Sequence, residues 1–228
     1  MSKCAQCIIK QFNSFQKLTN AELEVFSNHK SSLLIKKGSA IMREGAPVAG
    51  LYCIKDGKCK MTKLNTNGKE QIIKFARSGD IIGHRSILSE EPVGLNITAL
   101  EDTRVCLIPK ADILKMVKEN PSFSLELMKN ISHQLNEANS SISKMSQKPV
   151  KERLAETLLY LEEIFGVDKE GFIDVILTRE EIGNTIGTAT ESAIRLLSSL
   201  KKEGLIELIG KRIKINKKSV LKNLSEGY

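Results

Sequence analysis

Five cysteines carry the most visible chemical potential in this 228-residue chain: Cys4, Cys7, Cys53, Cys59 and Cys106. Thiolates are metal ligands and redox nucleophiles, so the Cys4-Ala-Gln-Cys7 pair is the first candidate site. The number is odd, and the opening MSKCAQCIIKQF lacks the apolar core of a secretory signal. Both features argue against a disulfide framework and for a cytoplasmic protein. A CxxC near the terminus without a βαβ context is a poor match to a thiol oxidoreductase. No HExxH or Ser/His/Asp constellation supplies another reaction centre, so the sequence does not read as an enzyme. Cys53 and Cys59 fall in strand-like runs and are not expected to reach the N-terminal pair.

The second chemical candidate is a polyanion. Lys and Arg total 35 against 27 Asp and Glu, a formal net charge of +8. The surplus is uneven: residues 150–228 hold thirteen of each sign, whereas Arg195 to Tyr228 holds nine basic and three acidic residues. That pattern predicts a basic patch late in the chain rather than a uniformly basic domain. Trp is absent and aromatics are 4%, which excludes the stacking platforms of single-strand binders. Apolar runs stay far below the ~18 residues of a membrane span, so no membrane partner is expected.

The elements that would position such a patch are legible between Leu177 and Ile215. Thr178 with Glu181 reads as a capping box, followed by Ile182 and Ile186 on one helical face. Gly187 suits a turn at positive φ, and Thr188 with Glu191 reads as a second capping box. Ala193, Leu196, Leu197 and Leu200 then form a buried stripe. Two capped helices around a glycine turn predict a helix-turn-helix whose second helix enters the major groove, with an ordinary helical corner as the rival reading. Downstream, Leu205–Ile209 and Arg212–Ile215 predict a hairpin around Gly210-Lys211. It is the wing of a winged helix, its Lys211, Arg212 and Lys214 placed to meet phosphates. Upstream, Phe172–Leu177 reads as a strand, and Val150 begins a helix with Leu154, Leu158, Leu161 and Phe165 at helical spacing, ending at Gly166.

The N-terminal half has a different rhythm. Thr19 or Asn20 caps a helix bearing Leu23 and Phe26. From Leu33 to Pro109, Gly38, Gly45, Gly57, Gly68 and Gly79 punctuate short runs such as LYCI, CKMTKL and QIIKF, with Asn67-Gly68 a hairpin turn. This predicts one β barrel or sandwich. A short helix over Ala111–Glu119 follows. From Pro121 a longer helix places Met128, Ile131, Leu135, Ala138, Ile142 and Met145 at alternating steps of three and four. So narrow a seam predicts a helix that pairs with a second copy. Polar Ser146–Pro149 reads as the hinge.

Taken together these motifs resemble the Crp/Fnr superfamily over nearly the whole chain. GLYCIKDGKCKMTKLNTNGKEQIIKFARSGDIIG is similar to its jelly-roll core, and LTREEIGNTIGTATESAIRLLSSLKKEGLI to its winged-helix signature. The resemblance implies an α+β chain: an N-terminal Cys-rich segment and cyclic-nucleotide-binding-like β-roll (1–109), a dimerisation helix (110–147) and a winged helix-turn-helix (148–228). It implies a homodimeric regulator of double-stranded DNA, with RNA polymerase a further partner if it activates. The rival is an effector-binding protein acting through its dimer helix without reading DNA. Carried over residue by residue, base contacts fall on Thr190, Glu191, Ile194 and Arg195, and phosphate contacts on Thr178, Arg179, Thr188 and Ser192.

The effector pocket departs from the family pattern. The ribose-binding Glu position is His84, after Gly83 and before Arg85 and Ser86, and the phosphate-binding Arg-Ser pair aligns with Val93-Gly94. A buried cyclic phosphate would lack its cation there, so cyclic AMP is not expected to be the ligand. Cys4, Cys7 and Cys106, the last in VCLIP, resemble instead the layout by which oxygen-sensing members hold a [4Fe–4S] cluster. That layout uses four cysteines, and the fourth position here is Asn13. A cluster with a non-Cys fourth ligand, another thiol, metal or haem-type sensor, and plain structural thiols all stay open.

Overall fold

The computed structural model describes Cys4, Cys7, residues 14–66 and residues 68–227. Asn13, the rest of the N-terminal segment and the Asn67 half of the Asn-Gly turn lie outside the described residues. The chain divides into two compact units, the first holding residues 1–66 and 73–137 and the second residues 67–72 and 138–228.

The N-terminal part of the chain contains helix α1 (Asn20–His29), strands β1 (Ser31–Ile35), β2 (Ala40–Met42), β3 (Gly50–Asp56), β4 (Lys58–Leu64), β5 (Glu70–Arg77) and β6 (Ile81–Ile82), helix α2 (His84–Ser89), then β7 (Asn96–Ala99), β8 (Thr103–Pro109) and α3 (Lys110–Glu119). The strands form two four-stranded sheets, ordered β1-β8-β3-β6 and β2-β7-β4-β5. Alternation along a strand sends successive side chains to opposite faces. In β3, Ile54 therefore points with Val105 of β8 into the core between the sheets, beside Ile97 and Cys59. Leu51 and Cys53 point the other way, with Cys106 and Ile108, into a core shared with Phe26, Phe123 and other residues of the flanking helices. The β1-β8-β3-β6 sheet is thus apolar on both faces.

Helix α1 begins with a reciprocal capping box, the Thr19 amide donating to Glu22 Oε2 at 2.7 Å and the Glu22 amide to Thr19 Oγ1. Helix α4 (Pro121–Gln147) uses two apolar faces. Phe123 and Leu127 are buried in the first unit's core, whereas the seam starting at Met128 lies on another face. The helix reaches Gln147, so of the polar stretch 146–149 only Lys148 and Pro149 lie outside it.

The second unit is built on α5 (Val150–Phe165), α6 (Arg179–Ile186), α7 (Thr190–Lys202), the β9 (Ile206–Ile209) and β10 (Arg212–Ile215) hairpin, and α8 (Lys218–Ser225). Leu158, Ile182, Ala193, Leu197, Leu200 and Leu221 meet in its core. The expected strand over 172–177 is not formed. A single bridge joins Val167 to Ile173, and only the Ile173 amide reaches the wing, donating to the Ile213 carbonyl at 2.8 Å. The cause is Asp168, whose Oδ1 accepts the Glu170 and Phe172 amides and holds the chain in a turn.

Candidate nucleic-acid interface and thiol pocket

The first helix of the pair is locked by local chemistry. The Thr178 amide donates to Glu181 Oε2 at 2.8 Å and the Glu181 amide to Thr178 Oγ1 at 3.0 Å, the box expected from the sequence. Gly187 ends the helix at φ 65°. The second box is absent. The Thr188 amide donates back to the Gly183 carbonyl, Ala189 becomes the N-cap, and α7 starts at Thr190 without a side-chain cap. Glu191 therefore stands one position too early to close a box, and its carboxylate is free of that duty. Gly183, which sequence reasoning passed over, lets the turn pack closely: a Cβ there would meet the Thr188 carbonyl at 3.0 Å.

Burying Ala193, Leu197 and Leu200 forces the opposite face of α7 outward. Glu191, Ile194, Arg195 and Ser198 are all exposed on it, Ile194 at 44%. Arg195 Nη2 donates to Ser192 Oγ at 3.0 Å, which steadies a guanidinium that still has donors to offer. Thr190 is half-buried at the helix start.

The wing divides its cations. Arg212 forms ion pairs with Asp168 (2.7 Å) and Glu170 (3.0 Å) and lies 4.2 Å over the Phe172 ring, and Lys214 donates to the Glu170 carbonyl. These two brace the wing against the 168–172 turn. Lys211 stands exposed at the hairpin tip. Arg179 Nη2 donates to the Gly210 carbonyl at 2.7 Å, tying the start of α6 to that tip. Its Nη1 is buried without a hydrogen-bond partner.

On α4 the seam is open. Met128, Leu135 and Ile142 are exposed, the last two at 60% and 69%, and Ala138 is exposed as well, while Ile131 is half-buried. Met145, the last seam position, leans on the helix-turn-helix instead: its methyl occupies the space that a Cβ at position 187 would need.

In the first unit the register of β3 on β8 places Cys53 directly opposite Cys106. Both face the helices, and Cys4 and Cys7 cover them, so four thiols line one pocket with Lys30 and Phe15. This corrects the expectation that Cys53 would not reach. All five cysteines are free thiols; Cys59 alone points into the other core, where burial pushes its thiol up to about 12. The Cys53 thiol is also held well above its ordinary value, by burial first and then by the neighbouring cysteines, with Lys30 opposing them. Lys30 is 7% exposed and donates from Nζ to Cys4 Sγ at 3.2 Å. Ser27 Oγ accepts the Cys4 amide at 2.8 Å, and Ser32 Oγ lies 3.6 Å from Cys106 Sγ. Among the described residues no three His, Cys, Asp or Glu side chains are grouped as ligands of a single metal ion. None of the described helices is long and apolar enough to cross a membrane.

Comparison with known proteins agrees with this architecture. A cyclic nucleotide-binding domain model matches residues 33–120, and a Crp-like helix-turn-helix domain model matches residues 152–224. Electron transport regulator A of Shewanella oneidensis is 33% identical over 183 residues, covering 78% of this chain and 72% of that regulator. The chain belongs to the Crp/Fnr family. The fumarate and nitrate reduction regulatory protein of Escherichia coli K12 is 29% identical over 227 residues, 97% of this chain and 90% of that protein. Among solved structures, FixK2 from Bradyrhizobium japonicum shares the fold with a TM-score of 0.75 at 24% identity, over 86% of this chain and 96% of that one. As a Crp/Fnr member the protein is a transcription regulator with a helix-turn-helix DNA-binding domain, not an enzyme.

Gly83 adopts φ 93° at the cap of α2, and His84 follows it, 4% exposed. Burial, with Arg85 adding, pushes the His84 imidazole down to about 4. Its Nε2 lies 3.4 Å from Gln134 Nε2 on α4. Arg85 is exposed, and Ser86 Oγ donates to the Pro92 carbonyl. Val93 is buried in the core between the sheets.

Proposed function

We propose that this Crp/Fnr regulator works in the cytoplasm as a homodimer on a pseudo-palindromic duplex, with one α7 helix per major groove and about one helical turn between half-sites. The observation that carries the reading is the outward face of α7. Arg195 there suits bidentate donation to guanine O6 and N7, Glu191 suits acceptance from cytosine N4, and Ile194 suits a thymine methyl, with Thr190 beside them. Thr178, Thr188, Ser192, Arg179 and Lys211 supply phosphate contacts; Arg212 and Lys214 serve chiefly to set the wing. The exposed seam of α4 supplies the dimer contact, and RNA polymerase is a further partner if the protein activates.

The signal is read as redox at the thiol pocket rather than cyclic AMP at α2. The names of the relatives, an electron transport regulator and a fumarate and nitrate reduction regulator, support that direction. The apolar Val93 at the phosphate-binding position supports the exclusion of a cyclic nucleotide. The donor set fits a [4Fe–4S] cluster, held by Cys4, Cys7 and Cys106 with a fourth ligand. When bound, such a cluster supplies a redox-active iron–sulfur core. Lys30 offsets thiolate charge in the pocket, and the sheet fixes the position of Cys106.

Selection of duplexes from a random pool under anaerobic conditions, followed by affinity measurement before and after exposure to air, tests both parts. A two-fold-symmetric sequence with an air-dependent affinity is expected. A pool with no enriched sequence would overturn the DNA reading, and equal affinities would overturn the redox control.

A further inference from the structure

We propose that Cys53 is the fourth thiolate of a four-cysteine cluster site, joining Cys4, Cys7 and Cys106 in place of the missing cysteine at position 13. The inference rests on the iron–sulfur reading above and deepens it.

Three relations argue for Cys53. It is the register partner of Cys106 across an antiparallel pair, and side chains directly opposite on one face stand within about 5.5 Å at Cβ. It shares one pocket with all three other thiols, whereas Cys59 faces the inter-sheet core. A buried ammonium stands within hydrogen-bond reach of this group, Lys30 Nζ at 3.2 Å from Cys4 Sγ. An isolated buried cation is costly, and so is a cluster of buried thiolates; placed together they compensate each other.

The arrangement also discriminates between kinds of metal centre. A single tetrahedral ion requires its ligands to converge on one point, which these thiols do not do. A four-iron cubane binds each thiolate at a separate corner, so the sheet pair Cys53 and Cys106 and the covering pair Cys4 and Cys7 could each take two corners. The gap between them is about 10 Å³, enough for about one water molecule. A bound cluster would need more room than this, so Cys4 and Cys7 would stand farther from the sheet pair when it is held. Each of the four thiols releases its proton as its iron–sulfur bond forms.

The test is anaerobic reconstitution of the full chain with equal amounts of ferrous and ferric iron and with sulfide, followed by desalting. Bound iron, bound sulfide and absorption near ~400 nm are then measured in the wild type, Cys53→Ser, Cys53→Ala, Cys59→Ser and the double variant Cys53→Ser/Asn13→Cys. Circular dichroism checks each fold. The wild type and Cys59→Ser are expected to hold about four irons per chain, and the single Cys53 variants at least about fourfold fewer. Recovery of iron in the double variant separates loss of a ligand from loss of fold. Unchanged iron in either Cys53 variant would overturn the assignment of Cys53 while leaving a cluster in place. A wild type that takes up no iron, or one ion without sulfide, would overturn the cluster reading itself.

Discussion

Arg153 on α5 holds the end of α6: its Nε donates to the Ile186 carbonyl at 2.9 Å. The same guanidinium caps the end of α4, Nη1 donating to the carbonyls of Met145 (2.7 Å) and Lys148 (3.1 Å). One side chain thus satisfies carbonyls at the end of α4 and at the helix-turn-helix turn. Arg153→Ala is expected to cost about 2 kcal/mol of stability, the range for hydrogen bonds from a charged donor. Urea unfolding checks this, with Arg153→Lys expected to lie between the two.

Such a strut could not be read from the sequence, and the reason is general to what was and was not legible. The Thr178 box was legible because all its partners lie within four residues. The same logic failed at Thr188, where the close approach permitted by Gly183 takes the Thr188 amide for the turn. A β barrel or sandwich was legible from the glycine spacing, but the face of each strand depends on register, and a slip of one residue reverses it. Cys53 was for that reason misjudged: nothing local says that it pairs with Cys106. Lys30, at the end of α1, belongs to no pattern at all.

The exposed α4 seam gives the dimer its test. Leu135→Asp introduces a charge at a seam position that is 60% exposed in one chain, so the monomer should fold normally. Sedimentation is expected to show a dimer for the wild type and a monomer for the variant, with operator affinity lost in parallel. A Leu135→Asp protein that stays dimeric would remove the seam from the interface.

Cyclic AMP should not bind. Val93, which the family resemblance aligns with the phosphate-binding Arg, lies in the inter-sheet core and offers no cation. Titration calorimetry is expected to show no heat at micromolar nucleotide. Micromolar or tighter binding would contradict the reading.

Acid should destabilise the first unit through His84. Its folded value is depressed from 6.5 to about 4, so between those limits the unfolded chain binds the extra proton. Stability is full above about pH 6.5, is lost as pH falls towards 4, and the loss is of order 3 kcal/mol. Denaturant unfolding from pH 7 to pH 4 is expected to show a shallower decline in His84→Gln than in the wild type. Equal slopes would show that the imidazole is not the group responsible.

Sequence-specific binding turns on α7 reading base edges, and the most direct measurement is affinity for a selected duplex and for a scrambled one. Arg195→Ala is expected to lose about 1–3 kcal/mol on the selected duplex and little on the scrambled one. Lys211→Ala should weaken both alike and lower the salt dependence by about one charge. The reverse pattern, Arg195→Ala weakening all sequences equally while Lys211→Ala alters preference, would contradict it.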